Sequence, residues 1–310
     1  MNETMLIIQA AILTIMGAAT PLLFAALGEL VVERSGVLNL GVEGMMLVGA
    51  VGAFAGAIVT GNTYIGVLIG GLCGTALALL HGFLTLSLLA NQVATGLAVT
   101  LFGVGLSALI GADFVGTTVE PLPNLPVPLL SQLPLVGALL FDHNLLIYLS
   151  IALAAALAWF IYRTRGGLVL RAVGESPESA HALGYPVIGI RYLALLFGGL
   201  MAGLGGAYLS VVYTPMWSEN MTAGRGWVAL ALVVFASWRP GRVLVGAYMF
   251  GAVTILQLHG QGLGLAIPSQ FLSMLPYLAT VLVLVLISRD QIKLRENSPA
   301  SLGKPFRPSA

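Results

Sequence analysis

Leu145-Leu-Ile-Tyr-Leu-Ser-Ile-Ala-Leu-Ala-Ala-Ala-Leu-Ala-Trp-Phe-Ile-Tyr162 carries no charge, and it runs directly into Arg163-Thr164-Arg165. A helix needs about 20 predominantly apolar residues to cross the hydrocarbon layer of a bilayer. Cations that follow such a run mark the place where the chain leaves the lipid, and Lys and Arg are concentrated on the cytoplasmic side. This stretch therefore reads as one membrane crossing that ends in the cytoplasm.

Outward from it, runs of similar length recur at Met5–Ala26, Val37–Val59, Tyr64–Ala90, Val93–Ala112, Tyr192–Tyr213, Met221–Trp238, Val243–Leu258 and Leu272–Ile287. With Leu145–Tyr162 they make nine. Met221–Trp238 and Val243–Leu258 are among the shorter runs and leave room for tilted, broken or re-entrant helices, so about eight to ten crossings stay open. The expected fold class is all-α, a polytopic transmembrane helical bundle over residues 1–288.

Composition leads to the same class. Of 310 residues 58% are hydrophobic and only 8% charged, whereas soluble domains have about 45–50% apolar and 25% charged residues. A net charge of +1 with scattered cations leaves no footprint for nucleic acid. Cys73 is the only cysteine, which excludes disulfides and a cysteine-based metal centre; no metal site is expected. Asn2 and Glu3 precede the first run without any basic residue, so that run reads as a retained helix and not as a signal peptide.

Between Ser35 and Tyr162 there is no Lys or Arg. Arg163, Arg165, Arg171 and Arg191 then crowd one loop, Arg239 and Arg242 another, and Arg289, Lys293, Arg295, Lys304 and Arg307 the tail. These three places are expected in the cytoplasm, which puts the C-terminus inside and, with nine crossings, the N-terminus outside. Residues 113–144, acidic at Asp113, Glu120 and Asp142 and broken by five prolines, are expected as an external loop without regular helix. Residues 289–310, interrupted by Pro299, Pro305 and Pro308, are expected to be a disordered tail. Glycines at small-xxx-small spacing, Gly52/Gly56, Gly66/Gly70/Gly74 and Gly199/Gly203, predict close helix packing.

The loop 163–191 holds a short capped helix in its middle. Ser176 suits the N-cap, Pro177 the first helical position, Glu178 the positive end of the dipole, and Gly184 the C-terminal stop with Pro186 beyond it. So short a helix is marginal by itself and needs a surface to dock on, its own bundle or a partner's groove.

Three segments resemble ABC importer permeases of the class serving branched-chain amino acids, ribose-type sugars and nucleosides. Residues 171–187 resemble that class's cytoplasmic coupling-helix region, residues 35–45 (Ser35-Gly-Val-Leu-Asn-Leu-Gly-Val-Glu-Gly-Met45) its early Gly-rich element, and residues 224–240 its later one. The Gly-rich elements are most similar to the nucleoside and simple-sugar branch. The resemblance implies an inner-membrane permease of a bacterium that docks cytosolic ATPase subunits, pairs with a second permease and receives substrate from an extracytoplasmic binding protein. It implies ATPase contacts at Glu175, Ser176, Glu178, Ser179, Ala182, Leu183 and Tyr185, with Arg171 flanking. No crossing precedes Met5, which points to a longer paralogue as the second permease. The only lysines are Lys293 and Lys304, and neither stands in a Gly-x-x-x-x-Gly-Lys-Ser/Thr motif. ATP is therefore expected on partner subunits, with no cofactor and no catalytic residue in this chain.

Polar residues near the membrane interior are candidates for the substrate path, because burying them in lipid is costly. Asn39 and Glu43 lie four apart on one helical face, and either line the path or satisfy a backbone break at Gly36 or Gly41. Asn91, Gln92 and Thr95 mark a polar turn or a substrate contact. Trp217, Asn220 and Trp227 flank an outer loop, where tryptophan suits an interfacial belt as well as stacking on a base or sugar ring.

Two rival classes compete with this reading. Ser107 with His259 superficially resembles the dyad of an intramembrane serine protease, without any identifiable oxyanion hole. An ion-coupled secondary transporter fits the composition, but it calls for ionisable residues deep in the spans and has no use for a docking helix.

Overall fold

The computed structural model of the chain describes residues 3–128, 141–262 and 297–308, with isolated positions between these segments. The elements are α1 (Glu3–Arg34), α2 (Val42–Thr60), α3 (Thr63–Gly82), α4 (Gln92–Gly111), β1 (Asn124–Pro126), β2 (Asp142–Asn144), α5 (Leu145–Arg163), α6 (Arg165–Glu175), α7 (Pro177–Ala182), α8 (Val187–Tyr208), α9 (Arg225–Phe235) and α10 (Pro240–Gly262). The helices α3 and α8 each end in a π-helical turn, Phe83–Ser87 and Leu209–Tyr213.

The bundle is all-α. Seven helices among the described residues are long and apolar enough to span a membrane: α1, α2, α3, α4, α5, α8 and α10. The expected run Met221–Trp238 contains only the eleven-residue α9, about 16 Å long and so about half the hydrocarbon thickness. The ninth expected run, Leu272–Ile287, falls largely outside the described residues.

Asparagines open three helices by capping them. The side chain of Asn62 accepts from Tyr64 N and Ile65 N, Asn91 from Ala94 N, and Asn144 from Ile147 N, satisfying amides that have no partner within the helix. Among the described residues of the Pro-rich segment, Ala112–Phe114 forms a 3-10 turn and β1 pairs antiparallel with β2.

At the centre α8 packs against α1, α2 and α3, and glycines set the spacing. A Cβ on Gly74 would stand 2.3 Å from the Gly199 carbonyl oxygen, and one on Gly203 2.4 Å from that of Gly70. The tightest approach is one that spacing alone does not single out: a Cβ on Gly206 would come within 1.9 Å of Met46 O. Gly206→Val is expected to cost about 1–3 kcal/mol or more through overpacking, read as a lowered thermal midpoint of the detergent-purified protein.

The tail departs from expectation. Residues 297–308, expected to be disordered, are fixed beside α6 and α7 by Ser301 N and Oγ, which donate to Gly174 O at 3.0 and 2.7 Å, and by Gly303 N, which donates to Gly36 O at 3.1 Å. Ser301 and Phe306 are buried. The prolines forbid a helix but not docking, because the partners of this segment come from other elements. Tail and loop 163–191 therefore lie at the same end of the bundle.

Candidate functional site

The chain breaks after α1. Ser35 and Gly36 close its last turn, with Gly36 at φ 87°, and residues 37–41 run non-helically through the bundle before α2 begins. Non-helical backbone at membrane depth must find partners within the protein. Gln92 Oε1 accepts from Leu38 N at 2.8 Å, Asn39 Oδ1 from Gly41 N at 3.1 Å, and Leu40 O from Thr100 Oγ1 at 2.9 Å. Asn39 Nδ2 also donates to Glu29 Oε2 at 3.1 Å.

Glu43 joins the two Gly-rich elements. Its carboxylate accepts from Thr222 Oγ1 at 2.5 Å, Gly224 N at 2.9 Å and Gly226 N at 2.6 Å. It thus caps the N-terminus of α9, where free amides and the helix dipole favour an anion. A Cβ on Gly226 would lie 2.6 Å from Glu43 Cα, so glycine is required for the approach. Asn39 thus satisfies the backbone break at Gly41, whereas Glu43 serves neither the break at Gly36 nor that at Gly41 but the start of α9. Further toward the arginine-rich end, Trp238 Nε1 donates to Glu33 Oε2 at 2.5 Å, and Arg34 Nε and Nη2 donate to Trp238 O at 3.3 and 2.9 Å.

The other polar candidates are spread apart. Asn91 caps α4 and Gln92 is bound to Leu38, both at the turn between α3 and α4; Thr95 is buried one turn further on. Asn220 is exposed in a turn at φ 54°, and Trp227 is 37% exposed. Trp217 requires correction. It is 1% exposed and lies against Gly111, where a Cβ would stand 2.0 Å from Trp217 Nε1. It is neither a belt residue nor free to stack on a ligand. Ser107 is buried within α4, and its hydroxyl donates to Val104 O at 3.0 Å; the side chain of His259 lies outside the described ones.

A cavity of about 460 Å³ opens between α1, α9 and α10. Tyr213, Arg225, Thr254 and Gln257 give it polar walls, with Leu22 and Phe250 among the apolar ones. Pockets of this size suit small polar molecules. Sequence reasoning missed these four residues, although Arg225, an isolated cation inside the later Gly-rich element, was a usable signal.

At the arginine-rich end Thr164 Oγ1 caps α6 by accepting from Gly167 N at 3.0 Å. Ser176 caps α7, accepting from Ser179 N at 3.3 Å, and Gly184 follows it at φ 87°, the start and stop expected. The two faces of this short element differ. Pro177 and Ala180 are buried inward with Val173 and Val187, whereas Glu175, Glu178, Ser179, Ala182, Leu183 and Tyr185 are exposed, Leu183 at 77%. Ser176 is half-buried, and Arg171 is half-buried with its guanidinium over the Tyr162 ring at 5.7 Å.

A multi-pass bundle with a short capped helix displayed at its arginine-rich end is the architecture of a transport permease. Residues 11–287 match the family model described as "Branched-chain amino acid transport system / permease component", and the chain belongs to that family. It is an ABC transporter permease subunit. The chain is 45% identical over 301 residues to TsgC13 of Haloferax volcanii, a permease to which glucose ABC transport is provisionally ascribed, covering 89% of this chain and 92% of that one. It is 33% identical to the nucleoside ABC transporter permease NupC of Lactococcus lactis (86% and 89% covered) and 32% identical to the guanosine ABC transporter permease NupQ of Bacillus subtilis (86% and 88%). A solved ABC transporter structure, described as of metal-chelate type and inward-facing, matches the fold with a TM-score of 0.52 at 17% identity over 89% of this chain and 84% of that one.

Proposed function

We propose that this permease imports a nucleoside or simple sugar, driven by ATP hydrolysis on separate cytosolic subunits that receive α7. The observation that carries this reading is the two-faced coupling element. Its inner face is fixed to the bundle, while Ala182, Leu183 and Tyr185 stand exposed together at its end, Leu183 at 77%, an apolar patch of the kind that marks a docking surface. In this reading the arginine-rich end and the C-terminus face the cytoplasm of a plasma membrane. A second permease completes the translocation path, and an extracytoplasmic binding protein delivers the substrate. Closure and release of the ATPase pair then move α7, and with it α6 and α8, as a rigid lever.

The substrate class draws on the relatives and on the cavity beside α9, whose Tyr213, Thr254 and Gln257 offer hydrogen-bonding groups suited to hydroxyls. Purification of the full complex from native membranes tests the ATPase assignment: an ATPase subunit is expected to co-elute in fixed ratio, and a permease that elutes alone from gently solubilised membranes contradicts it. For the cavity, Tyr213→Ala with Gln257→Ala is expected to reduce the maximal uptake rate about tenfold, as two lost hydrogen bonds imply, without changing ATPase binding.

A further inference from the structure

The tail is held at the coupling end by one buried guanidinium and one aromatic ring. Arg191, 1% exposed, donates from Nε to Ser35 O at 3.1 Å, from Nη1 to Lys304 O at 3.2 Å and from Nη2 to Ser301 Oγ at 3.1 Å. Phe306, 6% exposed, packs with Val173, Ala180 and Val187, and its ring meets that of His181 edge-on at 5.7 Å. These residues belong to α6, α7 and the start of α8, so the tail underlies the very element that is read as docking in the ATPase. Lys304 and Arg307, on either side of Phe306, are exposed.

We propose that residues 299–307 form a second docking element for the ATPase subunit, in which Lys304 and Arg307 meet acidic side chains on the rim of the groove that takes α7. The proposal rests on the reading that α7 docks an ATPase. A buried arginine committed to three acceptors, two of them on the tail, holds this segment in one place, which a merely trailing terminus does not require. Charge points the same way. Glu175 and Glu178 are exposed about the α6–α7 joint, with the exposed Arg165 at the far end of α6, and Phe306 seats the tail, which carries two cations, against α7. A partner complementary to both signs is fixed in register, as complementary charge patterns at interfaces do.

The test is the affinity of the purified permease complex for its ATPase subunit, measured at low and at high salt for three proteins: the parent, K304E/R307E and Leu183→Asp. Charge reversal at two exposed rim positions is expected to weaken binding about tenfold at low salt, with the difference shrinking as salt screens it. Both positions are exposed, so the fold is left intact, which size-exclusion behaviour verifies. Unchanged affinity in K304E/R307E, with binding lost in Leu183→Asp, overturns the proposal while the docking of α7 stands. Unchanged affinity in both overturns the reading of α7 as well.

Discussion

Leu183→Asp is expected to strip the ATPase from the permease and to abolish ATP-driven uptake. Leu183 is exposed to 77% at the end of α7, next to the exposed Ala182 and Tyr185. Apolar anchors that fill a partner's pocket carry a disproportionate share of binding energy, and truncating one commonly costs about 2–4 kcal/mol. A carboxylate in its place adds the cost of desolvating a charge, so a loss of affinity on the order of a hundredfold is expected. The fold is spared, because α7 is fixed by its other face, where Pro177 is buried and Ala180 packs with Val187 and Phe306. The check is co-purification of the ATPase together with uptake, with size-exclusion elution of the variant unchanged. Glu178→Ala, at the exposed rim of the same element, is expected to weaken binding by no more than a few-fold.

Glu43→Ala is expected to destroy the junction of the two Gly-rich elements, and with it the fold. Three donors, Thr222 Oγ1, Gly224 N and Gly226 N, converge on this one carboxylate in a buried setting. Removing the acceptor orphans all three, at about 1–3 kcal/mol for each buried group left unsatisfied, and it withdraws the anion from the start of α9. A loss of at least about 3 kcal/mol follows, in the range of breaking a buried charge arrangement. The expected result is aggregated or degraded protein on expression, with Glu43→Gln intermediate because its amide accepts through one oxygen only. Normal folding and uptake by Glu43→Ala would show that the carboxylate does not hold the two Gly-rich elements together.

What the sequence disclosed and what it hid follow from the range of the interactions. The long apolar runs and the coupling helix depend on residues near one another in the chain: Ser176, Pro177 and Gly184 mark a start and a stop within nine positions, and all three take those roles. The glycine spacing of α3 and α8 was legible for the same reason. The role of Glu43 was not, because its partners are some 180 residues away, and a lone acid four residues from Asn39 fits a pathway as well as a cap. The burial of Trp217 was not legible either, because the space for its ring is left by Gly111, more than a hundred residues away. The tail misled because prolines report only on regular structure, whereas its anchors are the distant Arg191, Gly174 and Gly36. The helix Arg165–Glu175 was hidden behind its two adjacent glycines, Gly166 and Gly167; at Gly167 the absence of a Cβ is what lets α6 turn against α5, 2.1 Å from Phe160 O by the position such an atom would take.

The central claim, that this permease is driven by ATP through α7, is tested most directly by uptake into proteoliposomes holding the complete complex, with its binding protein supplied on the other face. Accumulation of a labelled nucleoside or sugar is predicted to require ATP on the ATPase side, to persist when ionophores collapse proton and sodium gradients, and to vanish in the Leu183→Asp complex. Accumulation driven by an ion gradient without ATP, or ATP-driven uptake undiminished by Leu183→Asp, would contradict it.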